Sequence, residues 1–423
     1  MELTRTIHPI GQGGFYTETL KDGDDEINVV YDCGGNSKAF MQNYLDPKKN
    51  NVSSNIDAVF ISHFHDDHIN GLEYLLNNYK VKYLFLPQMS EEAKYMILLY
   101  YIAVSKIKYN TKTNILTYRF LIKILFGILD NGNAQVIWVE STPKNFITFN
   151  NNYYDIKNIS LPNNILPFNS VIHFHDKWFY IPYNPPAPTI NGKSVKQCFE
   201  DKFGVIEFQK IPELFKATPK GTKDNNIKEC KKIYSDCFGD GQNPSSMTLF
   251  SGCKNSKFYY LGVDCFKNND NPNCMYMGDF EEKYIDGLIL RYGEHWKTIA
   301  TIQVPHHGSN ENNSDKLYQY AYRGFISVRR NHKNHPGNQT MITMEEKRCQ
   351  SLIVTENPSS KKIFHYTDEN DFDSNQESKK SKKSKKSKRT KNDKSSESKQ
   401  QTDELEREQK SMQEPTAEMS ISE

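Results

Sequence analysis

Along most of this chain, short apolar runs of strand length alternate with longer stretches of helical periodicity. Ile7–Leu20 and Ile27–Tyr31 read as two strands joined by the turn-rich segment Lys21–Glu26, ending in Asp32-Cys33-Gly34-Gly35. Ile56–Ser62 is a compact buried-strand candidate whose C-terminal end opens directly into His63-Phe64-His65-Asp66-Asp67-His68. Ser90-Glu91-Glu92, a capping residue followed by first-turn acids, predicts a helix to about Ile107, and a second covers Ile115–Leu129. Between Pro143 and Glu200 the text turns to Asn, Pro and Tyr, with strand-like fragments at Val171–His175 and Lys177–Tyr183. Strand signals return at Ser246–Phe250, Lys257–Gly262, Met275–Met277, Ile299–Val304 and Gly324–Val328. This alternation predicts an α/β fold in which sheets are sandwiched between helix layers.

Composition changes this picture at one end. From about Asp368 the chain nearly lacks aromatic and branched apolar residues, so it cannot bury enough surface to offset its ordering entropy. The expected organisation is one domain over residues 1–366, with a candidate insertion over about 143–237, followed by a disordered charged tail over 367–423. Formal net charge is +2, yet Lys379–Lys394 alone holds ten of the 54 Lys+Arg and one of the 52 Asp+Glu. An acidic body is therefore joined to a basic strip that can meet a polyanion or remain solvated.

The longest apolar stretch, Met96–Val104, is far shorter than the roughly 20 residues a membrane-crossing helix needs. No charged segment followed by an apolar run opens the chain, so the expectation is a cytoplasmic protein without a membrane role. Eight cysteines lie at 33, 198, 230, 237, 253, 265, 274 and 349 with no C-x-x-C pair, which disfavours a disulfide framework or a thiolate zinc finger. Oligomeric state is not legible.

The concentrated chemistry lies in residues 63–68. Three imidazoles and two carboxylates on one short turn after a buried strand concentrate groups that a bound cation stabilises; neutral imidazole and carboxylate suit zinc, and to a lesser degree iron or manganese. His63, His65, Asp67 and His68 are thus candidate metal ligands.

Their H-x-H-x-D-H spacing resembles that of the metallo-β-lactamase superfamily. In that family the first two histidines hold one metal and the Asp and last His a second, so the resemblance implies an αββα four-layer sandwich binding one or two zinc ions, with manganese an alternative. Asp32 matches the superfamily's strand-end aspartate, expected to support the metal loop by hydrogen bonds rather than to ligate. Further stretches are similar to the soluble hydrolase domain of ComEC-type competence proteins and their free-standing relatives. These are Ile10–Leu20, Asn243–Leu249, Met277–Glu281, Val304–Ser309, Ile326–Val328 and Asn334–Pro336. They imply Asp279 as the bridging carboxylate, His335 as the remaining ligand, His306 and His307 as less certain ligands, and Asn243 and Ser246 as supporting residues.

Asp67 and His307 are the expected catalytic residues, His307 as proton donor to the leaving group or as a loop cap. Many superfamily members carry another histidine on the strand before the bridging Asp, where this chain has Asn243 and Ser246; His173 and His175 can fill that gap or form a structural pair. Asp264 competes weakly with Asp279, and His332 reads as a loop residue. The implied activity is metal-dependent hydrolysis of phosphodiesters, with DNA or RNA as substrate. The alternatives are an ester, lactone or β-lactam hydrolase, and a metal-stabilised binding module without catalysis.

Overall fold

Strict alternation along the strands decides the architecture. Val29 and Tyr31, Ala58 and Phe60, and Tyr83 and Phe85 face one side of a first sheet, while Val30, Val59, Ile61, Leu84 and Leu86 face the other. Both sides are apolar, so this sheet must be covered twice. The computed structural model describes residues 1–49, 52–98 except 92, 95 and 96, 120–126, 134–144, 151–186, 195–204, 228–233 except 230 and 231, 246–253, 258–260 and 271–368. The expected tail beyond Asp368, Asn243, Asp264 and three of the cysteines lie outside the described residues, as do parts of the two helices expected between Ser90 and Leu129.

Among the described residues the first sheet has nine strands. In spatial order they are Phe258–Tyr260, Lys362–Asp368, Glu2–Ile7, Phe15–Asp22, Asp25–Cys33, Asn55–Phe60, Lys80–Pro87, Gln135–Val139 and Ile165–Leu166. The second sheet has eight: Gln350–Val354, Arg323–Ser327, Thr301–Gln303, Cys274–Tyr276, Thr248–Gly252, Trp178–Tyr183, Ser170–Phe174 and Asn152–Asp155. Leu3, Tyr16, Tyr31, Phe60 and Phe85 of the first sheet meet Ile172, Tyr180, Leu249, Tyr276 and Phe325 of the second in a shared core. The outer face of the first sheet is covered by the helices Lys38–Tyr44 and Leu72–Asn78 and by a helical segment over 120–125, through Met41, Leu72, Leu75, Leu121 and Leu125. Ile285–Tyr292 and Asn338–Glu346 cover the second sheet through Ile285, Leu288, Tyr292 and Met344. The result is an αββα four-layer sandwich, each buried side chain of Leu size contributing roughly 1.5–3 kcal/mol.

Three sequence expectations need correction. Ile7–Leu20 is not one strand: strands Glu2–Ile7 and Phe15–Asp22 flank a loop, because Gly11 and Gly13 adopt positive φ and break the extended path. Residues 151–184, read as part of an insertion, instead supply strands to both sheets; the fragments at Val171–His175 and Lys177–Tyr183 are two of them, while Asn152–Asp155 is hidden by its exposed positions. The last strand, Lys362–Asp368, runs two residues past the domain end expected at 366 and pairs along all of Glu2–Ile7. No helix among the described residues is long and apolar enough to cross a membrane.

Candidate metal centre

Parallel pairing gathers strand ends at one mouth of the sandwich. Asn55–Phe60 runs parallel to Asp25–Cys33, and Cys274–Tyr276, Thr301–Gln303 and Arg323–Ser327 run parallel to one another. Their C-terminal ends carry Asp32, His63, Asp279, His306 and Ser327, the position where α/β sheets collect ligands. Two hydrogen bonds lock the sheets at this mouth: Tyr16 donates to Ser327 Oγ at 3.0 Å and Tyr31 to the Met247 carbonyl at 2.7 Å.

The loop carrying the histidines is pressed against glycines. Gly14 N–H donates to the Asp67 carbonyl at 3.2 Å, and a Cβ on Gly13 or Gly34 would stand 2.2 or 2.3 Å from that same oxygen. Only glycine permits this approach, so the Gly11–Gly14 loop and Gly34 set the position of Asp67. Gly278, at φ +55°, lets the chain turn from Met277 into Asp279 beside Ser62 and Ser246, and Asp279 N–H donates to Ser246 Oγ at 2.8 Å.

Asp279 stands between two groups of donors. Its Oδ2 lies 3.5 Å from His63 Nε2, 3.8 Å from His65 Nδ1 and 3.8 Å from His306 Nε2. Its Oδ1 lies 3.2 Å from His68 Nε2 and 3.9 Å from His307 Nε2, and His307 Nε2 is 3.1 Å from Asp67 Oδ2. Ligands about 2.0–2.1 Å from a tetrahedral ion stand roughly 3.3–3.4 Å apart, so these separations suit donors around two shared cations. His63, His65 and Asp279, and separately Asp67, His68 and His307, bring their ligand atoms within 4.8 Å of one another. His63 Nε2, His68 Nε2 and Asp279 Oδ1 are buried yet make no hydrogen bond. Buried polar atoms left in this way are rare, and a cation satisfies all three.

The outer nitrogens explain the aim of the inner ones. His68 Nδ1 is 2.8 Å from Asp32 Oδ2, and Asp32 also accepts from Ser62 N–H at 2.7 Å and Ser62 Oγ at 2.8 Å. His307 Nδ1 faces the Ser327 carbonyl at 2.9 Å. His306 Nδ1 faces Asn312 Oδ1 at 2.8 Å, while Asn312 Nδ2 is committed to the Phe280 carbonyl, which fixes the amide's orientation. Each outer partner is an acceptor, so Nδ1 carries the proton and Nε2 presents a lone pair inward. His63 Nδ1 lies between Ser62 Oγ and Ser246 Oγ at 2.9 and 3.1 Å. Asp32, His306 and His307 all have positive φ, strain of about 1–3 kcal/mol per residue that clusters where side chains must be aimed.

The electrostatics point the same way. Burial disfavours the charged forms of Asp279 and Asp67, yet the surrounding imidazoles, His68 foremost, hold both carboxyls below their ordinary range. Against the same burial, Asp279, Asp32 and Asp67 raise His68 well above an ordinary histidine, so its Nε2 holds a proton among these carboxylates that a bound cation would displace. Burial, with His68 beside it, pushes His63 down to about 3. A site this rich in anionic oxygen and imidazole is suited to a divalent cation.

The structure thus brings together His63, His65, Asp67, His68, Asp279, His306 and His307, with Asp32 and Ser246 behind them. His335 stands beside them, its ring 5.7 Å from His306 and 6.3 Å from His307, separations like the 5.6 Å between the His68 and His307 rings, and its Nδ1 is buried without a hydrogen bond. His306, ranked as less certain, stands on the His63 side, where the sequence lacked a histidine. His173 and His175 do not fill that gap: they face Asp176, and Asp22 with Asp25, as surface ion pairs. Ser62 and Asn312 were missed. Ser62 is flagged only by its place before the first histidine, and Asn312 by nothing local, because its contact to His306 depends on the turn after Gly308.

Residues 15–103 match the family model described as anti-Pycsar protein Apyc1, a stretch that includes Asp32 and residues 63–68. No curated protein matches the chain. Among solved structures, the metallo-β-lactamase fold protein YhfI from Bacillus subtilis is similar at 9% identity and a TM-score of 0.33, covering 86% of this chain and 100% of that one.

Proposed function

We propose that this chain is a metal-dependent hydrolase that cleaves phosphodiesters at a two-cation centre. The observation that carries this reading is the division of Asp279: Oδ2 faces His63, His65 and His306, and Oδ1 faces His68 and His307. One carboxylate with an oxygen on each donor group is what a shared pair of ions requires. Zinc or manganese fits the imidazole and carboxylate donors, and such ions supply Lewis acidity toward phosphoryl oxygens together with an activated water. Asp32 holds the proton on His68 Nδ1, Asn312 holds it on His306 Nδ1, and the Ser327 carbonyl holds it on His307 Nδ1. That arrangement supports the ligand role through Nε2 for His307, one of the roles read from the sequence, over the role of proton donor. The partial match to the Apyc1 family covers the half of the centre contributed by the first sheet and supports the same assignment of His63–His68.

The test combines bound-metal content with turnover of bis(p-nitrophenyl) phosphate, cyclic nucleotides, DNA and RNA, for the wild type and for Asp67→Ala/His68→Ala. Loss of both metal and phosphodiester turnover in a variant that keeps its near-ultraviolet circular dichroism is the expected result. Full metal occupancy with turnover of carboxylic esters alone would replace this reading with hydrolysis at a carbonyl.

A further inference from the structure

The short helix Asp66–Ile69 carries Asp67 and His68, and its C-terminal end is held by a side chain that is not among the ligands. Asn70 directly follows the helix and is 4% exposed. Its Oδ1 accepts from the Gly35 N–H at 3.1 Å and its Nδ2 donates to the Gly35 carbonyl at 2.7 Å, so one amide closes both backbone groups of a single residue. This pairing fixes the orientation of the amide, because the reverse would set donor against donor and acceptor against acceptor. Nδ2 also reaches Asp66 Oδ2 at 3.4 Å. Asparagine at a helix end often serves left-handed backbone. Asn70 has φ −66° and ψ −13°, which any residue adopts, so backbone geometry does not account for it.

Gly71 extends the same seam. Its N–H donates to the Cys33 carbonyl at 2.9 Å, and a Cβ there would stand 3.0 Å from that oxygen. Asn70 and Gly71 thus dock the helix on Cys33–Gly35, the segment that follows Asp32 and includes the Gly34 packed against the Asp67 carbonyl. Asp32 Oδ2 and His68 Nδ1 face each other at 2.8 Å across this seam. His63 and His65 precede the helix and have other supports. Ser62 donates its N–H to Asp32 at 2.7 Å, and His63 Nδ1 lies between Ser62 Oγ and Ser246 Oγ; none of these contacts passes through Asn70.

We propose that Asn70 is a positioning residue for one of the two cations. It sets Asp67 and His68 for the ion they share with His307, and it leaves the ion on the side of His63, His65 and His306 to other contacts. This inference rests on the two-cation reading and deepens it, by giving the two ions separate supports within one loop.

The test titrates the metal-free full chain with cobalt(II) and follows visible absorption, with each site isolated in turn. In a His63→Ala background, which leaves the side of Asp67, His68 and His307, adding Asn70→Ala should weaken cobalt binding about 10- to 100-fold, as expected when a support behind a ligand is lost. In a His307→Ala background the same addition should change affinity less than about threefold. Asn70→Ser, which leaves a hydroxyl in place of the amide, replaces Asn70→Ala if that variant loses its near-ultraviolet circular dichroism. Equal weakening in the two backgrounds would mark Asn70 as merely structural and overturn the proposal, as would unchanged binding in the His63→Ala background. A wild type that binds two cobalt ions and turns over no phosphodiester would remove the hydrolase reading alone. A wild type that binds only one would overturn the two-cation reading, and this inference with it.

Discussion

At the scale of single residues, Asp32 Oδ2 stands 2.8 Å from His68 Nδ1, so on the proposed reading it acts through that ring. Asp32→Asn keeps the size and can still accept from Ser62, but an amide holds the His68 Nδ1 proton less strongly than a carboxylate does. Bound-metal affinity should fall about 10- to 100-fold, read by competition with a chromophoric chelator, while the melting temperature of the metal-free chain changes little. Asn312→Ala should act similarly on the side of His63 and His306 by releasing the His306 ring. His8 gives a prediction about pH. Burial, then the charge of Lys361, lowers it from 6.5 to about 3, and its nitrogens are held by Tyr44 and Thr17 at 2.9 and 2.8 Å. A depressed histidine binds fewer protons folded than unfolded between those two values, so stability falls as pH drops from 6.5 toward 3. His8→Gln should flatten that acid limb in thermal melts at pH 4 and 5, relative to pH 8. At this scale the sequence was most legible where donors were contiguous, as in residues 63–68. It was least legible where a contact forms across the fold, as with Asn312.

Whole elements are joined by a buried network between the sheets. Arg5 Nε donates to Glu18 Oε1 at 2.7 Å in the first sheet. From the second sheet, Tyr276 donates to Oε1 at 2.8 Å, and Tyr180 and Ser251 donate to Oε2 at 3.0 and 2.6 Å. Glu18→Ala should destabilise the chain by about 3–5 kcal/mol in urea melts, because Arg5 is left as an uncompensated buried charge, whereas Glu18→Gln should lose less. Gly13→Ala should leave the strands intact but displace Asp67, lowering metal occupancy more than stability. Elements built on uninterrupted apolar runs, such as Ile56–Ser62, were readable to within a residue or two. Asn152–Asp155 was not read, since it is an edge strand with three exposed positions and pairing rather than hydrophobicity defines it. The same limit applies to Glu2–Ile7: its partner Lys362–Asp368 lies at the other end of the described chain, a register no local pattern announces.

For the molecule as a whole, the layered architecture followed from alternation, but the pairing of the two sheets through one mouth did not, because it depends on contacts separated by hundreds of residues. His63, His65, Asp67 and His68 belong to the first sheet, and Asp279, His306 and His307 to the second. Ions that bind only the folded chain should stabilise it by about 2.7 kcal/mol at a concentration a hundredfold above their dissociation constant, a gain that scanning calorimetry with and without chelator should register. The contact of Asp67 with His307 spans 240 positions along the chain. A shared cation there would work as a removable crosslink between two distant stretches of polypeptide. Loading with metal would then govern lifetime as well as turnover: an ion-starved molecule loses the clasp at its mouth, and a protease should find it first.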